Sequence, residues 1–481
     1  MKNTKVIELL KSLTAKEFEG FEDFVSSKFF NKNTDLTKLF SVIKKYYPAF
    51  ENDNLDKGKI FVKIFGKKKY DDEKMRTIIS NLMKLCKKYL IQLELEAKKE
   101  VGGTFLLAQL RKRYQSSLFD YEFNKLTKVL DETYERERDY YFLKFVVEYE
   151  NYYSNPTAMQ DNYLEVPYIE KVSENFEKLF LLDAMEINYH KLTRRSKLSY
   201  NPDFLYLEEI KKRIENGDYS DAPLIPLKYY IFMAVGNPDK DEYYEIAEKI
   251  YLENVDSFSP YEQASLSVGL TNYCWVKTGR GEEKYLRKAF DLYKLALEKG
   301  MYFYANRYLL PSLFNGIVKV ASYLKEHKWL FNFITEYKNK LEPEQRQDVL
   351  NIAYSKYYLD IGKYDDALAH INKIKTPSSF LKLEIKILSV KIFYELGYTE
   401  SIYSALDSIK HFLRNNSLLH ESLVKQSMTF AKYIKGLIDF KEPGNKAELE
   451  YLRKEINDTK EIGFINTRWL NEKIDEQLNK K

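Results

Sequence analysis

The sequence predicts an all-α protein whose larger part is a stack of helical pairs. Three observations carry that expectation. Apolar residues recur with a period near 3.6, no series of alternating strands with hairpin turns is present, and a self-match repeats at an interval of 35 residues. Length and composition agree: 481 residues allow about three average domains or one continuous repeat array. With 15% aromatic residues and only 17 Gly and 12 Pro, the chain is neither collagen-like nor wholly disordered.

The elements follow from their ends and their stripes. Thr14 and Glu17 have the spacing of a capping box, in which hydroxyl and carboxylate satisfy each other's free backbone N–H groups. Between Asp72 and Leu93, the residues Met75, Ile78, Ile79, Leu82, Cys86, Tyr89, Leu90 and Leu93 advance by threes and fours. They form one apolar stripe, with Lys74, Lys84, Lys87 and Lys88 mostly outside it. Val101-Gly102-Gly103-Thr104 is expected to break the helical run that reaches Ala97. Long helices follow around Tyr140–Tyr153 and Val166–Leu198, separated by Asn155-Pro156. Asn201 is suited to cap a further helix, with Pro202 in its first position, Phe204, Leu207, Ile210 and Ile214 on its buried face and Gly217 at its end.

Beyond Ala222 the helices shorten to roughly 12–18 residues with short connections. Ala222–Phe258 fits one degenerate pair. Pro443-Gly444 interrupts the series, and Lys446 to Lys481 reads as one or two helices covering the last repeat. The breaks divide the chain into a basic helical N-terminal module (1–98), a long-helix middle region (103–220), the repeats (221–442) and C-terminal capping helices (443–481).

The repeat is clearest in five coincident columns. Tyr323, Tyr358 and Phe393 are 35 residues apart, as are His327, Gly362 and Gly397 four positions later. Val320, Ser355 and Val390 precede the aromatics, while Trp329 and Tyr364 follow the turn, with Tyr398 one residue early. The segment Ala353 to Leu368 resembles the first helix, glycine turn and second-helix start of the tetratricopeptide repeat. In that resemblance Ser355 is the small residue, Tyr358 the aromatic, Gly362 the turn glycine, Tyr364 the second aromatic and Ala367 the packing alanine. A small side chain lets two helices approach, a ring fills the space beside it, and glycine reverses the chain. A looser copy has Trp275, a turn at Gly279 and Gly281, and Ala289, Tyr293 and Ala296 on its second helix. His327 and Ser401 depart from the pattern, and its closing proline is misplaced or absent. The resemblance implies a right-handed α-solenoid of tetratricopeptide-like hairpins whose concave face is lined by first helices.

Charge and composition narrow the function classes. Lys and Arg exceed Asp and Glu by only five, and the excess sits in the first 98 residues, with 21 against 14, leaving 56 against 58 in the remainder. Two cysteines, Cys86 and Cys274, make no disulfide framework and read as buried thiols. The start carries no signal-like apolar run, and the longest stretch without charge, Gln263 to Val276, has 14 residues, too few for a bilayer. A soluble, cytoplasmic protein without a membrane segment is expected. None of the five histidines has metal-site spacing, and no phosphate loop or dinucleotide fingerprint is present. No enzyme activity, metal or cofactor is therefore expected.

Two binding readings remain. By the geometry that the resemblance implies, Ile352, Lys356 and Leu359 line one rung of the groove and Ile387, Lys391 and Tyr394 the next. Lys356 and Lys391, also 35 residues apart, would hold an acidic peptide or a terminal carboxylate unless they are ordinary solvated lysines. The chain is then a scaffold for a protein or peptide partner. The alternative is a nucleic-acid-binding regulator that uses Lys57, Lys59, Lys63, Lys67, Lys68 and Lys69, interleaved with Phe61, Phe65 and Tyr70. Phe61 and Phe65, four residues apart, also suit a helix core.

Overall fold

The computed structural model describes residues 1–154, 166–195, 198, 200–303, 308–375, 379–416, 419–440, 446–459 and 463–479. Among the described residues there are twenty-three α-helices and no β-strand. The chain forms two compact units, Met1–Glu132 with Val146–Ile169, and Thr133–Phe145 with Glu170–Lys481.

The first unit holds α1 (Lys5–Ser12), α2 (Ala15–Ser26), α3 (Thr34–Ile43), α4 (Lys57–Phe65), α5 (Asp72–Ala97), α6 (Lys99–Lys112) and most of α7 (Ser116–Thr133). Residues 1–98 have a core of their own, in which α1, α2 and α3 pack on α5. The capping box at the start of α2 forms as expected: the Glu17 backbone N–H donates to Thr14 Oγ1 at 3.3 Å, and the Thr14 N–H donates to Glu17 Oε2 at 2.7 Å. Met75, Ile78, Leu82, Cys86 and Tyr89 form the buried stripe of α5, and Tyr89 donates its hydroxyl to the Glu17 carbonyl at 2.8 Å. Leu90, expected on that stripe, is exposed, and Leu85 is buried instead.

The expected break at Gly102-Gly103 does not occur. The helices part at Lys98, and α6 runs through both glycines. Gly103 serves close approach: a Cβ there would come 3.1 Å from a Leu126 methyl on α7. The pair Asn155-Pro156 lies outside the described residues.

Helices α8 (Arg138–Ser154) and α9 (Val166–Arg195) contribute residues to both units. The second unit continues with α10 (Leu207–Asn216), which starts later than its Asn201-Pro202 signal suggested. The Asn188 side chain accounts for the delay. It accepts the Leu205 N–H at 2.8 Å and donates to the Leu205 carbonyl at 2.9 Å, so that backbone is engaged outside a helix. Ile210 and Ile214 are buried, and Gly217 ends the helix.

Five helical pairs follow: α11 (Leu224–Gly236) with α12 (Asp241–Asn254), α13 (Pro260–Gly279) with α14 (Lys284–Glu298), α15 (Pro311–Tyr323) with α16 (His327–Tyr337), α17 (Pro343–Asp360) with α18 (Tyr364–Ile371), and α19 (Ser379–Leu396) with α20 (Thr399–Arg414). First helices also meet, α11 on α13, α15 on α17 and α17 on α19. Helices α21 (Glu421–Asp439), α22 (Lys446–Asp458) and α23 (Phe464–Leu478) complete the chain, with Pro443-Gly444 outside the described residues. Within the α17–α18 pair, Ser355 is fully buried and donates to the Ala367 carbonyl at 2.9 Å, joining the small residue to the packing alanine.

Four of the five first helices end in one recurring turn. Gly281, Lys325, Gly362 and Gly397 have φ of 97°, 57°, 75° and 73°. Each N–H bonds back to a carbonyl three residues earlier, and the next N–H to one five residues earlier, which reverses the chain and satisfies two orphan carbonyls. These bonds fix the true register. Lys363 N–H donates to Tyr358 O at 2.8 Å and Tyr398 N–H to Phe393 O at 2.9 Å, so Tyr358 and Phe393 are equivalent at the 35-residue interval. In the preceding pair Glu326 N–H donates to Ala321 O at 2.9 Å, so Ala321 takes that place and Tyr323 stands two residues further on. His327, expected in the turn, starts α16, and Lys325 supplies the left-handed residue.

A Cβ at Gly397 would meet nothing within 4 Å, and one at Gly362 only a distant hydroxyl, so backbone conformation alone sets the cost of a side chain there. Gly362→Ala and Gly397→Ala are each expected to lose about 1 kcal/mol in urea unfolding, and Lys325→Gly to gain up to about 1 kcal/mol. Losses in all three variants would contradict the turn assignment.

Candidate ligand cleft

The register places equivalent side chains on successive first helices. Counting from the turns, Lys319 on α15, Lys356 on α17 and Lys391 on α19 occupy the same position, and all three line one cleft of about 770 Å³. Leu359 and Asp360 from α17 and Leu383, Glu384, Ile387 and Leu388 from α19 complete this wall. Helix α23 closes the opposite side with Arg468, Trp469, Glu472, Lys473 and Glu476. Its Leu470 and Ile474 are fully buried in the core with α21 and α22, and Lys473 pairs with Glu395 of α19 at 2.6 Å with both side chains largely buried. Arg468 donates to the Tyr323 carbonyl at 3.3 Å, and Lys325 pairs with Glu472 at 3.4 Å.

Glu384 serves two rungs of the lysine ladder, accepting Lys356 Nζ at 2.5 Å and Lys319 Nζ at 3.0 Å. Burial pushes the Glu384 carboxyl up, but the two ammonium groups outweigh it and hold the group at about 2. Burial lowers Lys356, opposed by Glu384 and reinforced by Lys319. Lys391 differs. Nine-tenths of it is buried, yet among the described residues its ammonium makes no hydrogen bond or ion pair; it lies over the rings of Trp469 at 5.2 Å and Phe430 at 5.7 Å. Burial drives it down to about 8, against the pull of Asp360 and Glu472.

Asp360 is enclosed by surrounding protein while its carboxylate stays open to the water of the cleft, and it accepts the Ser322 hydroxyl. Enclosure raises it to about 6, although Ser322, Lys356 and Lys391 oppose the rise.

Four of the six expected groove residues, Lys356, Leu359, Ile387 and Lys391, come together in this cleft. Ile352 does not line it: one turn before Lys356, it is fully buried in the core. Tyr394 also packs behind the wall, its ring edge-on to Trp469 at 5.4 Å and its hydroxyl accepting Gln477 Nε2 at 2.5 Å. The solvated reading of Lys356 and Lys391 fails, since both are nine-tenths buried. Lys319 escaped the sequence reading because the 35-residue column is two residues out of register in that pair. Glu384 and the residues of α23 carried no repeat signal.

In the basic module, Lys59, Lys63, Lys67, Lys68 and Lys69 are exposed on α4 and the turn after it, and Lys57 is half-buried. Their rings are engaged. Phe61 is in the core, Phe65 packs on it at 4.7 Å under the Lys74 ammonium, and Tyr70 donates to Asp72 at 2.8 Å. Cys86 and Cys274 are buried free thiols, each pushed up to about 12 by burial. Among the described residues no group of three or more His, Cys, Asp or Glu is placed to hold a metal ion, and no helix is long and apolar enough to cross a membrane. No family model, curated protein or solved structure matches the chain.

An ammonium crowded by protein at the cleft wall, with no ion pair among the described residues, carries a desolvation cost that an apolar isostere reduces. Lys391→Met is expected to raise unfolding stability at pH 7 by about 1 kcal/mol, net of the lost ring contacts. The wild type binds fewer protons at this site when folded than when unfolded, so its own stability rises from about pH 8 toward the ordinary lysine range. The advantage of the variant should shrink over that interval in denaturant titrations. An advantage that is absent at pH 7, or that grows above pH 8, would contradict the placement of Lys391.

Proposed function

We propose that this chain is a binding scaffold, a right-handed solenoid of tetratricopeptide-like hairpins that takes a peptide segment of a protein partner in the cleft between its first helices and α23. One observation carries the reading. Lys391 is nine-tenths buried at the cleft wall and, among the described residues, makes no ion pair or hydrogen bond, an arrangement that costs stability and that a bound counter-charge would resolve. Size supports it, because about 770 Å³ falls within the usual range of ligand sites. The recurring turn supports the hairpin reading, and the contacts of α11 with α13, α15 with α17 and α17 with α19 support the solenoid. No catalytic role or cofactor enters this proposal.

A nucleic-acid contact through the N-terminal module would rest on phosphate attraction alone, since Phe61 and Phe65 are engaged in packing. The cleft is therefore the favoured site of partner binding.

The test is selection from a displayed random-peptide library on the full chain, followed by affinity measurement with Leu359→Arg, which places a bulky cation in the cleft. Selected peptides are expected to bind the variant at least tenfold more weakly. Unchanged affinities, with the variant folded by circular dichroism, would move the binding elsewhere and defeat the proposal.

A further inference from the structure

Other lysines of the second unit with largely buried side chains meet carboxylates. Lys178 pairs with Glu174 and Asp221, Lys228 with Glu186 and Glu262, and Lys277 with Asp241 and Glu282. Within the cleft, Lys356 pairs with Glu384, and Lys473 with Glu395 and Glu476. A carboxylate in contact favours the protonated amine, which has no lone pair to offer. Lys391 is built differently. It is as enclosed as these, yet it lies over the rings of Trp469 and Phe430, and among the described residues no carboxylate stands within pairing distance.

An amine desolvated against apolar surface is the usual form of a nucleophilic lysine. Burial brings Lys391 down to about 8, with Lys356 adding to the fall and Asp360 and Glu472 opposing it at longer range. At pH 7 such a group holds roughly two hundred times more free amine than an ordinary lysine. Lys391 also lines the cleft, within reach of a small molecule that enters there, and Leu359, Ile387 and Trp469 line the same space. A neutral amide on this nitrogen would remove the charge that enclosure penalises and set its acyl group beside apolar side chains.

We propose that Lys391 is a site of covalent acylation by a small activated acyl donor, and that the acyl group closes the cleft to the partner segment. The neutral amine attacks the acyl carbon and a C–N bond forms. The bond from that carbon to a phosphate or thiolate breaks, and the proton lost by nitrogen passes through water to the leaving group. The reactivity follows from the surroundings of Lys391 alone; the closing of the cleft rests on the peptide reading.

The test is incubation of the full chain at pH 7 with acetyl phosphate and, separately, with a small acetyl thioester, followed by peptide mass spectrometry over time. Lys391 is expected to be acetylated at least tenfold faster than the exposed Lys67, Lys68 and Lys69. That margin is smaller than the free-amine ratio because, as with thiols, nucleophilicity falls with basicity. Lys178, Lys277 and Lys473, whose partners hold the proton, should stay unmodified. From pH 8 to 10 the margin should narrow, since the Lys391 amine is then largely free while the exposed amines are still being released. Selective reaction with one donor and not the other supports the site and identifies the leaving group. If neither donor modifies Lys391 faster than the exposed lysines, in protein that circular dichroism shows to be folded, the site is overturned. Library-selected peptides should bind the acetylated chain at least tenfold more weakly, while Lys391→Arg treated identically should lose no affinity. Equal loss in both would overturn the closing of the cleft and leave the acylation site standing. Failure of selection to yield any peptide sensitive to Leu359→Arg removes the peptide reading, and with it the closing of the cleft, but not the acylation.

Discussion

The structure of the second unit depends on how its first helices end. An α-helix leaves its last carbonyls without partners, and a left-handed residue just past the end lets two following N–H groups turn back and satisfy them. Gly281, Lys325, Gly362 and Gly397 each do this, so four helical pairs reverse with the same geometry despite loops and second helices of different length. Because side-chain direction along a helix follows from position relative to its end, one turn repeated fixes one face repeated. The alignment of Lys319, Lys356 and Lys391 is a consequence of that constraint.

A ladder of lysines on a buried face would repel itself and lose hydration, so its compensation decides what the site is for. Glu384 neutralises two rungs at once and is held ionised by them. The third rung has rings beneath it and, among the described residues, no anion within pairing distance, and Asp360 in the same cleft accepts the Ser322 hydroxyl. A structural network gains from closing its last pair; a ligand site keeps it open. Helix α23 makes the difference possible, because it turns a face into a cleft and pairs with Lys325 and Glu395.

Much of this was legible in the sequence where local rules govern. The capping box at Thr14 and Glu17, the stripe of α5 from Met75 to Tyr89, the turns at Gly362 and Gly397, and the common surface of Lys356 and Lys391 all follow from spacing of three to five residues or from one repeat interval. Failures arose where tertiary packing overrides local preference. Gly102-Gly103 looked like a break but admits Leu126, and Pro202 looked like a helix start until Asn188 engaged the backbone beyond it. The column through Tyr323 matched by residue type while the hydrogen bonds are two positions away, which concealed Lys319. Ile352 is a related case, since its place on a first helix is right and its side chain is nonetheless core. Contacts between α23 and α19 join residues far apart in the chain, and periodicity holds no information about them.

On the repeated face the Lys391 ammonium is crowded by protein with no counter-ion within pairing distance among the described residues, and titration of the lysines reads that state. With lysines labelled at Cε, one resonance is expected to titrate with a midpoint of about 8 and to vanish in Lys391→Met. If every lysine resonance instead titrates near the ordinary value of about 10.4, Lys391 is solvated or paired and the cleft is no longer a site awaiting a charge.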